Sequence, residues 1–229
     1  MGGGIISTWQ SILNGFDFSY LLQLLLGVIP ALICITIHEF CHGVTAFYLG
    51  DDTAKNMGRL SLNPIRHLDP VGFFMLIVFH FGWAKPVPVN MMKFKRPKRG
   101  MALTALAGPA SNLVLTLLLL FLYGMLYRTL NSSVFDGYLL DLIHLTSYMS
   151  LGLAIFNMLP IPPLDGSKIL FSIIRDEHYQ KLMFFERYGS ILLLLLAFTG
   201  ILGKPLGTLI SRIYDALFVV AQTAYRMFS

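Results

Sequence analysis

The sequence predicts an all-α polytopic membrane protein: a three-helix core, a re-entrant or extended loop, and one or two further helices at the carboxyl end. Three observations carry this. Charged residues make up only 13% of the 229, about half the roughly 25% of a soluble domain. Hydrophobic residues reach 55%, mean hydropathy is +0.68, and several apolar runs are long enough for the ~20 residues needed to cross a bilayer. Basic residues concentrate in the polar stretches between those runs, as they do in cytoplasmic loops.

The first run extends from about Tyr20 to Leu49 and contains Pro30, where a kink is expected. It exceeds the length needed to span, so it must tilt or project beyond the membrane. Residues 51–70 are polar and carry Asn63-Pro64 and Asp69-Pro70 turn signals. Residues 71–82 are apolar but too short to cross, which reads as a re-entrant or interfacial piece. From Gly82 to Asn90 two prolines at alternate positions, Pro86 and Pro88, exclude a helix and favour an extended edge.

A basic cluster of Lys93, Lys95, Arg96, Lys98 and Arg99 precedes the second run, Met101–Tyr127. Residues 128–146 read as a mixed loop. The third run, about 147–172, is broken by Pro160, Pro162 and Pro163, and a fourth covers about 189–202. Residues 1–203 form the expected intramembrane domain. In 204–229, apolar residues recur at helical spacing opposite Arg212, Asp215, Gln222 and Arg226, the pattern of an interfacial amphipathic helix.

The start lacks a charged segment followed by a short apolar stretch and a cleavage site, so no removable leader is expected. The formal charge of +5 is explained by membrane orientation rather than by nucleic acid, which is excluded as a partner; the lipid bilayer is the expected one. Basic residues in 51–100 and 168–187 place those loops in the cytoplasm, with the amino terminus and 128–146 on the other side. Cys34 and Cys41 lie about 10 Å apart along one helix, too far for a disulfide.

The chemistry sits in His38-Glu39-Phe40-Cys41-His42. Imidazoles four residues apart project from one face of a helix, a turn apart, so both can hold one tetrahedral zinc. Glu39 projects about 100° round the helix, placed to take a proton from a metal-associated water without itself being a ligand. An ionisable trio within an apolar span costs several kcal/mol, on the order of 3 per charge, unless it has partners or a cavity. That expense favours a metal site over chance.

Catalytic zinc takes three protein ligands and keeps one position open. Asp165 is the best third ligand, as the only acid in the third run, just after three prolines that free backbone carbonyls. It could instead cap the helix that resumes at Gly166. Cys34 or Cys41 could supply a thiolate from the same stripe as the histidines, although buried cysteine is usually packing. His80 could approach the metal, but a fourth protein ligand would close the open position. His67, His144 and His178 fall in or near loops and are expected to be solvated.

With these motifs in view the chain resembles the site-2 protease family, intramembrane zinc metalloproteases of peptidase family M50. The likeness is to the compact bacterial or archaeal type without a PDZ or CBS domain. His38–Gly43 is similar to the family's first zinc motif and Asn157–Gly166 to its second; Gly82–Asn90 and Gly108-Pro109-Ala110-Ser111-Asn112 resemble further recurring segments. The resemblance implies one Zn2+ on His38, His42 and Asp165, with Glu39 as base. It also implies that Asn112 and Asn157 stabilise the substrate or the oxyanion. Helix–helix hydrogen bonding is a rival use of those amides.

The segment Lys85, Pro86, Val87, Pro88, Val89 and Asn90 could pair edge-to-edge with an unwound transmembrane substrate, or serve as a structural plug. The expected setting is a prokaryotic plasma membrane, with the site toward the cytoplasm. A metal transporter or sensor would show several ligating pairs along a pathway, and this chain shows one constellation. A catalytically silent binder of membrane segments is the other rival, and the intact Glu39 argues against it.

Overall fold

The computed structural model describes residues 18–79, 84–130, 134–174, 188–196 and 199–228. His80, His178, Gly82, Trp83 and the charged stretch 175–187 lie outside the described residues. Those described are mainly helical: α1 (Phe18–Tyr48), α2 (Thr53–Asn56), α3 (Pro70–Phe79), α4 (Pro97–Thr129), α5 (Val134–Asn157), α6 (Asp165–Ile173), α7 (Gly203–Leu217) and α8 (Val219–Met227). Residues 188–196 are also helical. Among the described residues, three stretches are long and apolar enough to cross a membrane: Leu26–Tyr48, Pro97–Thr129 and Asp136–Asn157. This is a multi-pass membrane protein.

The third span differs from the sequence expectation. It begins near Asp136, within residues expected to be a loop, and it ends at Asn157 before the proline run. Asp136 obscured it, yet an acid in the first turn of a helix is favoured by the helix dipole. Pro160, Pro162 and Pro163 then occupy a turn, and the chain re-enters a helix at Asp165.

The bundle is knitted by small and hydroxylic residues, because apolar burial offers little driving force between helices in lipid. On α4, Gly100, Thr104, Gly108, Asn112, Thr116, Leu120 and Gly124 are all buried and recur every fourth residue, forming one stripe. Thr116 Oγ1 donates to the carbonyls of Asn112 and Ser147, and Ser150 Oγ donates to Asn112 O at 2.8 Å, tying α4 to α5. Outward residues such as Leu106, Leu113, Leu118 and Phe121 are exposed, as lipid-facing positions are.

The carboxyl-terminal amphipathic stretch forms two helices that meet at Phe218. Their apolar stripe packs on the half of α4 and α5 away from Pro97. Tyr214 and Ala221 join Leu120 and Leu151 in a buried cluster, and Tyr214 and Ser147 hydroxyls lie 2.6 Å apart.

Residues 84–90 have no helix, as the prolines predict, and form a strap across one end of the bundle. Ala84 bridges Leu68, and Lys85 N–H donates to His67 O at 2.9 Å. Arg59, buried, donates to the carbonyls of Lys85 (2.6 Å) and Pro86 (3.3 Å). At the other end Asp51, fully buried, accepts from Asn90 N–H at 2.5 Å. His67 is buried and donates from Nε2 to Ser61 O, contrary to the solvated position expected of it. His144 is exposed, its ring tilted beside Tyr123 and edge-on to Tyr214.

Candidate metal centre

His38 and His42 face the same way from α1, with ring centroids 4.5 Å apart and planes at 88°. The turn after α5 delivers Asp165 to them from more than 120 residues away in sequence. Its Oδ2 lies 3.0 Å from His38 Nε2 and 3.1 Å from His42 Nε2. All three side chains are buried, and one potential ligand atom from each lies within 4.8 Å of the others.

The proton inventory shows what this cluster suits. His42 Nδ1 is 2.6 Å from the carbonyl of Thr104, which can only accept, so Nδ1 carries the proton. His42 Nε2 then turns a lone pair toward a carboxylate oxygen, which is repulsive unless a second proton or a cation intervenes. A metal ion would remove that conflict, and the Nε2 of His38 faces the same point. Two imidazole nitrogens and one carboxylate oxygen are a donor set suited to zinc, with a fourth position left for water.

Asp165 is the first residue of α6, but its side chain makes no cap, so the capping alternative is not what the structure shows. Lys168 Nζ takes the other oxygen, Oδ1, at 3.1 Å, leaving Oδ2 to face the histidines. The i,i+3 spacing from Asp165 is the signal that would have found Lys168 in the sequence.

Neither cysteine belongs to the cluster. Cys34 Sγ donates to Thr146 O at 3.5 Å, and both thiols are free. Glu39, half-buried, lines the same cavity of about 310 Å³ as the cluster, together with Pro86, Val87, Val89 and Asn157. Its Oε2 accepts the Val87 N–H at 2.7 Å, so the strap holds this carboxylate beside the cluster. Asn157 Nδ2 donates to Leu153 O.

Asn112 sits behind His38, fully buried and away from the cavity lining, with Nδ2 3.4 Å from His38 Nδ1. Its Oδ1 has no hydrogen-bond partner. Gly108, one turn earlier on the stripe, is where both rings press against α4: a Cβ there would lie 2.4 Å from His42 Nε2 and 2.6 Å from His38 Cε1. Thr104 acts through its backbone carbonyl, a contact with no sequence signature.

The family model for peptidase family M50 matches residues 125–197. YwhC of Bacillus subtilis, named as a zinc metalloprotease, is 41% identical over 187 residues, covering 79% of this chain and 81% of its own. Rip2 of Mycolicibacterium smegmatis, with the same description, is 28% identical over 201 residues, covering 86% of this chain and 76% of its own. Rip2 of Mycobacterium tuberculosis is 30% identical over 171 residues, 72% of this chain and 63% of its own. No solved structure matches the chain.

Proposed function

Because this chain belongs to peptidase family M50 and is therefore a zinc metalloendopeptidase, we propose that it cuts transmembrane protein substrates within the bilayer, using His38, His42 and Asp165 as zinc ligands and Glu39 as general base. The observation that carries this reading is the convergence of two histidine Nε2 atoms and Asp165 Oδ2 beside Glu39, in one cavity of a membrane-spanning bundle. His38 lies ten residues before the end of α1, roughly 15 Å at 1.5 Å per residue, which is inside the membrane.

Bound zinc supplies a Lewis acid that polarises the peptide carbonyl and acidifies a water. The residues do the rest. Glu39, held by the Val87 N–H, takes the proton of that water and later passes it to the leaving amine. Thr104 O keeps the His42 proton on Nδ1 so that Nε2 faces the metal.

Asn112 does the same for His38. With its amide turned so that oxygen meets Nδ1–H, it fixes that ring's tautomer, and the two amide orientations are nearly isosteric. It is thus a positioning residue. Asn157, on the cavity wall, is the better placed of the two amides to meet the substrate or the oxyanion. An unwound substrate segment lies along the strap 85–90, against Pro86, Val87 and Val89. The site opens toward the cytoplasm of a bacterial or archaeal cell, because the basic residues of 51–100 flank it.

The test is cleavage of a panel of single-span substrates in reconstituted vesicles, comparing wild type with Glu39→Gln. The substitution should abolish cleavage while zinc stays bound. Equal activity would refute the mechanism, and zinc content unchanged in Asp165→Ala would refute the third ligand.

A further inference from the structure

The five basic residues before α4 do not behave alike. Lys93 is satisfied by Asp52 at 2.5 Å and approaches Asp51, and Lys98 Nζ donates to Ile174 O at 3.1 Å. Lys95, Arg96 and Arg99 are exposed, and their side chains make no hydrogen bond or ion pair with any described residue. These three line one cavity of about 620 Å³, together with Tyr48, Phe94 and Leu103.

No acidic side chain lines that cavity among the described residues. The nearest acids in sequence, Asp51 and Asp52, are already engaged by Thr53, Asn90 and Lys93. Among the described residues, then, the cavity presents three positive charges with no acid beside them, over an apolar floor. Phe94, buried against Gly100, forms part of that floor; a Cβ on Gly100 would come within 2.5 Å of the ring.

Its place in the membrane is defined by its walls. Tyr48 closes the first span and Pro97 opens the second, so both spans end at this level. Leu103, nearly two turns into the second span, is 52% exposed and Tyr48 is 82% exposed, so apolar surface continues from the charged mouth along the bundle. A charged mouth above an apolar flank, at the boundary of the hydrocarbon, matches an amphiphile with an anionic head.

We propose that this cavity binds the phosphodiester headgroup of an anionic phospholipid, with Lys95, Arg96 and Arg99 on the phosphate and an acyl chain along Leu103. This goes beyond the proteolytic reading and does not depend on it. Guanidinium groups suit phosphate because their donors match two of its oxygens at once.

The test uses the full chain purified in a neutral detergent. It is titrated calorimetrically with dihexanoylphosphatidylglycerol, dihexanoylphosphatidylcholine, glycerol 3-phosphate and an acidic peptide. The phosphatidylglycerol should bind at least 10-fold tighter than each of the others. Each Lys or Arg near an anionic lipid surface contributes about fivefold, so K95Q/R96Q/R99Q should weaken it on the order of 100-fold. R96K/R99K should retain most of the affinity.

Leu103→Trp, which keeps every charge and obstructs the flank, should weaken the lipid but leave glycerol 3-phosphate unchanged. It serves as the second variant should the triple one not fold. K204Q/R212Q, which removes exposed cations outside the cavity, should change nothing. Equal binding of the two lipids, or undiminished binding by K95Q/R96Q/R99Q, would overturn the proposal. Glycerol 3-phosphate binding as tightly as the lipid would assign the cavity to a soluble phosphate and overturn it also. So would the acidic peptide, by assigning it to a protein segment.

Discussion

Replacing Gly108 by alanine sets two known effects against each other. In a helix interior alanine is favoured over glycine by about 1 kcal/mol, so a position that only packed loosely would become more stable. At Gly108 the added methyl would lie 2.4 Å from His42 Nε2, 2.5 Å from His42 Cε1 and 2.6 Å from His38 Cε1. Non-bonded contacts settle at roughly 3.5–4.0 Å, so both rings or the helix must retreat by about 1 Å. Zinc–nitrogen distances tolerate only about 0.2 Å. The displacement is several times that tolerance. Altering what orients a ligand histidine typically costs 10–100-fold in metal affinity, and Gly108→Ala should fall in or beyond that range. Chelator competition on the purified protein measures it, with thermal unfolding of the metal-free protein alongside. The variant should lose most of the stabilisation that zinc confers, whatever the net of helix propensity and overpacking does to the metal-free protein. Zinc affinity within twofold of wild type would refute the placement of both histidines against α4.

Two further substitutions separate the site from its scaffold. Gly124→Ala would put a Cβ 2.0 Å from Ala221 O, so α8 cannot seat. Overpacking of this kind costs about 1–3 kcal/mol, read as a lower unfolding temperature, while zinc affinity stays within a few-fold because Gly124 is four turns along α4 from Gly108. Asp51→Ala removes the acceptor of the Asn90 and Thr53 N–H groups. Both donors can reach water once the acceptor is gone, so the cost is that of two lost hydrogen bonds, about 1 kcal/mol each, and amide hydrogen exchange across 85–90 should accelerate, with slower cleavage and unchanged zinc content.

What the sequence determined by itself is what lies within one helix or one composition. Charge scarcity and apolar runs established the membrane class, because the bilayer acts on every residue of a span alike. His38 and His42 were legible because a spacing of four places two side chains on one face whatever surrounds them. Asp165 was legible as a third ligand to His38 and His42 because an acid beside three prolines is anomalous in an apolar run. The start of the third span was hidden because Asp136 resembles loop sequence and is in fact a first-turn acid.

Only the tertiary structure decided the rest. The Thr104 carbonyl, the Val87 N–H on Glu39 and the Arg59 clamp are backbone contacts between segments far apart in the chain, and a backbone group carries no side-chain signature. The division of the basic cluster into paired and unpaired members is of the same kind. All five cations look alike in sequence, and which of them meets an acid or a carbonyl depends on where α1 and α6 end in space.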